Sequence, residues 1–212
     1  MVFLNQNSSP YGQKKGGVMI PHVNLSSFAG GGKTTISKLL LEKYRTIVIP
    51  KITTRPRRNV EVDIPEYIHV SQEDFEVRRE HGDFIAVSPS LVDGEVYHHA
   101  ITRPEFWPII SDETELILSA FGTKARLVQQ YVPDLKLVFI SFKDETILRE
   151  RLRQRCSLDG SNFTEKWTKN EQYFAVDIES QYDFIVYNDT TPEECVSQIA
   201  QLVKIADRVL SE

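Results

Sequence analysis

Ser27-Phe28-Ala29-Gly30-Gly31-Gly32-Lys33-Thr34-Thr35 is the stretch on which the fold turns. It follows an apolar run from Val18 to Leu25. It precedes Ile36, Leu39, Leu40 and Tyr44, whose 3.6-residue spacing puts them on one face of a helix. A glycine loop between a strand and a helix binds phosphate for three separable reasons. Glycines let the backbone approach phosphate oxygens, the amides at the helix N-terminus favour anions, and a loop lysine reaches the terminal phosphates. Ala29, Gly30, Gly31, Gly32, Lys33, Thr34 and Thr35 are therefore expected to hold ATP, with the Thr34 hydroxyl directed to Mg2+. Ser27 stands five residues before the Gly32-Lys33-Thr34 triplet, where the usual pattern has another glycine. Three consecutive glycines offset part of that loss.

Outward from the loop, Pro21 cannot donate to a sheet ladder, so the central strand is expected to begin after it. Thr46 to Ile49 reads as a second strand. Leu116 to Ala120, Leu135 to Ser141 and Asp183 to Tyr187 are further short β-branched or aromatic runs, each followed by a helical pattern. Strands alternating with helices imply an α/β fold: a three-layer α/β/α P-loop architecture with a mostly parallel sheet. The final helix opens with Thr191-Pro192-Glu193-Glu194, a capping box with proline in the first turn, and its expected buried stripe is Val196, Ile199, Leu202 and Val203.

Two segments leave this alternation. Residues 52–102 are polar and arginine-rich, with a capped helix expected from Ser71-Gln72-Glu73-Asp74 and a strand at Phe84 to Val87; they read as an inserted lobe. Residues 156–170 are polar and are approached by Arg149, Arg151, Arg153 and Arg155, which reads as a lid. The expected organisation is a flexible leader over 1–17 and one domain over 18–210. Within it, 18–51, 103–155 and 171–210 form the core.

The chain has 212 residues, 41% hydrophobic and 26% charged, which suits one globular α/β domain with insertions. A net charge of -5 gives no reason to expect nucleic-acid binding. Cys156 and Cys195 form no metal-ligand spacing, and reduced thiols in a cytoplasmic protein are the expectation. No run reaches the roughly 18 apolar residues of a membrane helix, so no membrane partner is expected.

Thr53-Thr54-Arg55-Pro56-Arg57-Arg58, then Glu61, then Glu66-Tyr67-Ile68-His69-Val70-Ser71 with Phe75, follow the order and spacing of a known segment. With Gly82-Asp83-Phe84-Ile85, Arg151-Leu152, Arg155 and the run from Tyr182 to Asp189, they resemble the guanylate kinase family of nucleoside monophosphate kinases. The resemblance covers nearly all of Val18 to Leu210. It implies an ATP-dependent, magnesium-assisted phosphotransferase acting on a small phosphate-bearing acceptor. It also implies that Arg55, Arg58, Tyr67 and Tyr97 hold the acceptor phosphate. Arg155 and Lys166 would join Lys33 in neutralising the transferring group, and Asn188 and Asp189 would lie near the donor adenine. Forked guanidinium groups suit phosphate in a way lysine cannot copy.

The departures concern the acceptor base. Ala86 stands where the family carries the glutamate that reads guanine, Lys51 where a small hydroxyl residue is usual, and His99 where a serine follows the tyrosine. The stretch Pro89 to Asp93 reads as a lengthened loop. Leu118-Ser119-Ala120-Phe121 replaces an acidic Asp-x-Asp motif that helps hold magnesium and the base. The leading expectation is a kinase of a nucleoside or deoxynucleoside monophosphate other than GMP, with Lys51 and His99 joining the acceptor site. A kinase of a ribose phosphate, a protein-binding module without catalysis and a nucleotide-binding regulator are the alternatives. Trp107 is expected to be structural. Trp167 would either pack the lid down or face a ligand, and His98-His99 would either contact an acceptor or lie at the surface.

Overall fold

In a computed structural model, the structure describes residues 14–15, 18–57, 65–92, 94–111, 113–174, 177 and 179–203. Apart from Lys14–Lys15, the expected leader lies outside them, as do Arg58 and Glu61. The first elements are a short antiparallel pair, β1 (Lys14–Lys15) and β2 (Val18–Met19).

A parallel sheet covered on both faces needs strands apolar on both sides, and the alternation along the strands meets that demand. The sheet has five strands in the order β11-β10-β3-β9-β4, all parallel. They are β3 (His22–Ser27), β4 (Thr46–Ile49), β9 (Leu116–Ser119), β10 (Leu135–Ser141) and β11 (Phe184–Tyr187). On β10, Leu137 and Phe139 enter one core while Val138 and Ile140 enter the other; on β9, Ile117 is divided in the same way from Leu116 and Leu118. One face is covered by α1 (Lys33–Lys43) and α6 (Pro192–Leu202) through Ile36, Leu40, Val196 and Ile199. The other is covered by α3 (Ala125–Val128), α4 (Glu145–Asp159) and α5 (Phe163–Phe174) through Val128, Leu148, Leu152 and Trp167.

Thr191 caps α6 as expected, accepting the Glu194 amide at 3.2 Å. Leu202 was expected in the buried stripe but is 40% exposed; Cys195 and Ala200 occupy the stripe beside Val196 and Ile199. The period therefore shifts by a residue at the helix end, where Val203 completes the contact. Cys195 is a free thiol whose burial pushes its pKa up to about 12.

Four strands between Lys51 and Thr102 form a second sheet in the order β6-β5-β8-β7. These are β5 (Lys51–Thr53), β6 (Tyr67–His69), β7 (Phe84–Val92) and β8 (Glu95–Thr102), with α2 (Gln72–Glu80) between β6 and β7. Ser71 caps α2, accepting the Asp74 amide at 3.0 Å, and Phe75 from α2 packs with Ile52 and Ala100. Pro89, Ser90, Leu91 and Val92 of the expected loop belong to a strand, and Asp93 lies outside the described residues. β7 continues to Val92, Pro89 pairs with His98, and Val92 pairs with Glu95 across the Asp93-Gly94 connection. Asp-Gly between paired strands is the composition a two-residue hairpin favours.

Candidate active site

The phosphate loop leaves the end of β3 and enters α1 through Gly32, which has φ 85° and offers the helix no side-chain cap. The amides of the first turn of α1 thus point out without a capping side chain, the condition under which a helix start takes an anion. The loop also explains the serine at its head. A Cβ on Gly31 would lie 2.8 Å from Ser27 Cβ and 2.9 Å from the Phe28 carbonyl oxygen, so the middle glycine accommodates the side chain that position 27 carries. A Cβ on Gly32 would lie 2.6 Å from Asn188 Nδ2.

Two asparagines hold the loop from outside it. Asn188, at the end of β11, donates to the Gly31 carbonyl at 3.1 Å, and its buried Oδ1 has no hydrogen-bond partner. Asn170 on α5 accepts the Ala29 amide at 2.8 Å and donates to the Ala29 carbonyl at 3.0 Å. Asn170 is 1% exposed, and nothing in its local sequence marks it; only the packing of α5 against the loop reveals it.

The loop floors a cleft of about 760 Å³, within the range of small-molecule sites. Its walls include Lys33, Thr34, Thr35, Lys38, Arg151, Arg155 and Asn188, together with Glu66 and Tyr67 from the second sheet. Lys33 Nζ pairs with Glu66 Oε2 at 2.5 Å, and Ser37 donates to Glu66 Oε1 at 3.3 Å. Among the described residues lining the cleft, Glu66 is the one carboxylate. Magnesium prefers oxygen donors and keeps part of its water shell. The Thr34 hydroxyl and the Glu66 carboxylate suit it. No group of three His, Cys, Asp or Glu side chains that could hold a metal occurs among the described residues. The donor set therefore fits a magnesium ion that arrives on nucleotide phosphates.

The acceptor candidates gather on the second sheet. Lys51 Nζ lies 4.8 Å and Arg55 Cζ 5.6 Å from the centre of the Tyr67 ring, and the His99 ring is 5.7 Å from it. Burial acts to raise the Tyr67 phenol, but the Lys51 and Lys33 ammonium groups outweigh it and the net shift is downward. Arg55 is buried, donates to the Pro56 carbonyl at 2.7 Å, and has its own carbonyl bonded by His69 Nδ1 at 2.6 Å. Tyr97 shares the alternate face of β8 with His99 and donates to Glu95. His98, on the opposite face, packs against Phe75 at 5.6 Å.

Two other expected site residues, Asp189 and Lys166, are not among the described residues lining the cleft. Asp189 accepts the Lys143 and Asp144 amides at 2.9 and 3.3 Å, at the start of α4. Lys166 donates to Ser161 and is not among the residues lining the cleft. Trp167 packs inward, 6% exposed, with Phe163 stacked at 6.0 Å and Arg149 5.0 Å from its ring. Trp107 is structural as well: it is 6% exposed and donates to the Thr102 carbonyl at 3.0 Å. Ser119 is 1% exposed and bonded to the Val23 carbonyl at 3.4 Å, so it faces the sheet and no ligand. Phe121, at the end of the replaced acidic motif, packs on Trp107, and its amide is held by Asn24 Oδ1 at 2.7 Å.

Comparison with known proteins adds a family. A family model described as guanylate kinase matches residues 21–206. The chain is 29% identical over 170 residues to a guanylate kinase of Chlorobium luteolum, covering 79% of this chain and 83% of that one. It is also 29% identical over 178 residues to a guanylate kinase of Chelativorans sp., covering 83% of this chain and 78% of that one. Among solved structures, guanylate kinase from Anaplasma phagocytophilum aligns with a TM-score of 0.56 at 20% identity, over 87% of this chain and 84% of that one, a likeness of fold.

Proposed function

The chain belongs to the guanylate kinase family, and we propose that the nucleoside monophosphate it phosphorylates carries a base other than guanine. As a member of that family it is a nucleoside monophosphate kinase-like enzyme, transferring a phosphoryl group from ATP to a nucleoside monophosphate. The relatives' name makes GMP the reference acceptor against which this reading is set.

The observation that carries the reading is Lys51, whose ammonium lies against Tyr67 in the acceptor wall. Guanine turns an N–H and an amino group to its reader, and both need acceptors. An ammonium only donates, Ala86 does neither, and Ser119 is sealed within the sheet. A site built without those acceptors forfeits much of its preference for guanine, since lost polar contacts to a base edge typically cost about 1 to 3 kcal/mol each. Lys51 and His99 suit a base that presents carbonyl oxygens.

In this reading residues 52–102, which carry all of the second sheet but Lys51, are the acceptor lobe and residues 156–170 form the lid. Arg55, Arg58 and Tyr67 hold the acceptor phosphate, with Tyr97 joining them. Lys33, Arg155 and Lys166 offset charge on the transferring group, the last once the lid has moved. Ala29 to Thr35 and Asn188 bind ATP, the unpartnered Asn188 Oδ1 being available to a donor on the nucleotide. Asp189 acts indirectly, through the start of α4. Bound magnesium, held with Thr34, would supply charge neutralisation between the phosphates. Transfer then rests on positioning and electrostatics, with no covalent intermediate on the protein.

Purified protein with Mg-ATP is assayed against GMP, dGMP, AMP, CMP, UMP, dTMP and ribose phosphates, following ADP release, with Lys33→Ala as the inactive control. Pyrimidine monophosphates are expected to match or exceed GMP. A GMP specificity constant more than about a hundredfold above all the others would overturn the reading.

A further inference from the structure

We propose that Glu66 supplies the carboxylate of the magnesium site, in place of the acidic residues that β9 lacks; this rests on the ATP-dependent reading of the cleft above. Three observations converge on it. The end of β9 is sealed: Ser119, Ala120 and Phe121 are 1%, 7% and 4% exposed, so that strand delivers no carboxylate to the phosphate loop. Glu66 is the one carboxylate among the described residues lining the cleft, and it reaches Lys33, the residue assigned to the terminal phosphates.

Its placement is also tightly determined. The Glu66 carbonyl accepts the Lys51 amide at 2.9 Å, which fixes its backbone to β5. Its carboxylate is held by Lys33 and by Ser37, one turn along α1. A carboxylate that is 9% exposed in a phosphate site is unfavourable unless a cation sits with it, because it repels the ligand the site is built to hold. Lys33 is that cation here. When Lys33 turns to the phosphates of ATP, Glu66 loses its partner, and a divalent ion bound to the same phosphates restores the balance. Magnesium sites of this kind use one or two protein oxygens plus substrate phosphates. Glu66 is also the residue before Tyr67, so the acceptor wall and the metal side of the donor share one strand entry.

The signature is a loss confined to the metal-dependent part of binding, which a merely structural residue would not produce. Calorimetric titration with a non-hydrolysable ATP analogue, in the absence of any acceptor, is run with and without Mg2+ on the unsubstituted protein and on Glu66→Gln. The amide keeps the shape and can still accept from Ser37. Without Mg2+, E66Q is expected to bind the analogue as tightly as the unsubstituted protein or more tightly, since a repelling charge is gone. With Mg2+, it is expected to lose tenfold or more of the enhancement the metal confers. An enhancement in E66Q within twofold of the unsubstituted value overturns the assignment of Glu66 while leaving the kinase reading intact. Failure of the unsubstituted protein to bind the analogue overturns the kinase reading and this proposal with it. Should E66Q not fold, Glu66→Asp is read in the same way: withdrawing the carboxylate by one methylene lowers the enhancement severalfold, and an unchanged enhancement overturns the assignment.

Discussion

Arg55 sits 5% exposed beside the second sheet, with one guanidinium nitrogen on the Pro56 carbonyl and its carbon over Tyr67. A planar fork can make that internal bond and still present donors to a phosphate, whereas a lysine ammonium has a single charged head. Arg55→Lys is therefore expected to raise the acceptor's KM about tenfold and to lower turnover, with the KM for ATP moving less than about twofold. Steady-state kinetics with each substrate varied in turn separates the two. Equal weakening of both substrates would show that Arg55 serves the cleft as a whole. Ser27 carries a different lesson: the sequence pattern marks it as a departure, and the structure shows why the loop tolerates it, because Gly31 leaves room for its side chain.

Among the elements, α5 departs furthest from the picture of a detached lid. Trp167 anchors it in the core, and one turn later Asn170 makes both of its hydrogen bonds to the backbone of Ala29. A movement of α5 must then carry the phosphate loop with it or pivot before Trp167. Asn170→Ala leaves the Ala29 amide without that partner in a part-buried place, a loss of about 1 to 3 kcal/mol. A lower Tm and weaker binding of an ATP analogue are expected together. An unchanged Tm with unchanged nucleotide affinity would show that solvent replaces the asparagine at no cost. The β7-β8 hairpin illustrates the opposite case, in which the sequence holds a turn signal at Asp93-Gly94 that the expectation of a lengthened loop left unused. Pro89 is tolerated because β7 is the edge strand of its sheet.

For the whole molecule, the central strand β3 carries a cost. His22 is 1% exposed, neither ring nitrogen has a hydrogen-bond partner, and its ring meets Trp107 edge-on at 5.9 Å. Burial pushes its pKa down from 6.5 to about 3. Between those values the unfolded chain binds a proton that the folded chain refuses, so stability is full above pH 6.5 and falls as the pH drops toward 3. The slope is about 1.4 kcal/mol per pH unit, which makes the loss about 2 kcal/mol between pH 7 and pH 5. Urea unfolding at those two pH values checks it. His22→Leu is expected to flatten the difference and to raise stability at pH 7, since two orphaned polar atoms leave the core. An equal pH dependence in both proteins would place the titrating group elsewhere.

What the sequence determined by itself was whatever depends on neighbours along the chain. The glycine loop between β3 and α1, the caps at Ser71 and Thr191, the start of β3 after Pro21 and the bounds of β10 are set by local hydrogen bonding and by side-chain periods of two and 3.6 residues. The order of the arginines, Tyr67 and the run ending at Asp189 likewise sufficed to indicate the family. Only the tertiary structure decided which of these residues meet. It brought Glu66 to Lys33 across 33 positions and Asn170 to Ala29 across 141, and it turned Ser119 into the sheet and Asp189 toward the start of α4. Contacts of that kind leave no periodic trace, because they are made by the packing of one element against another. A lone glutamate or asparagine on a strand entry or helix reads as a solvated surface group until the surface opposite it is known.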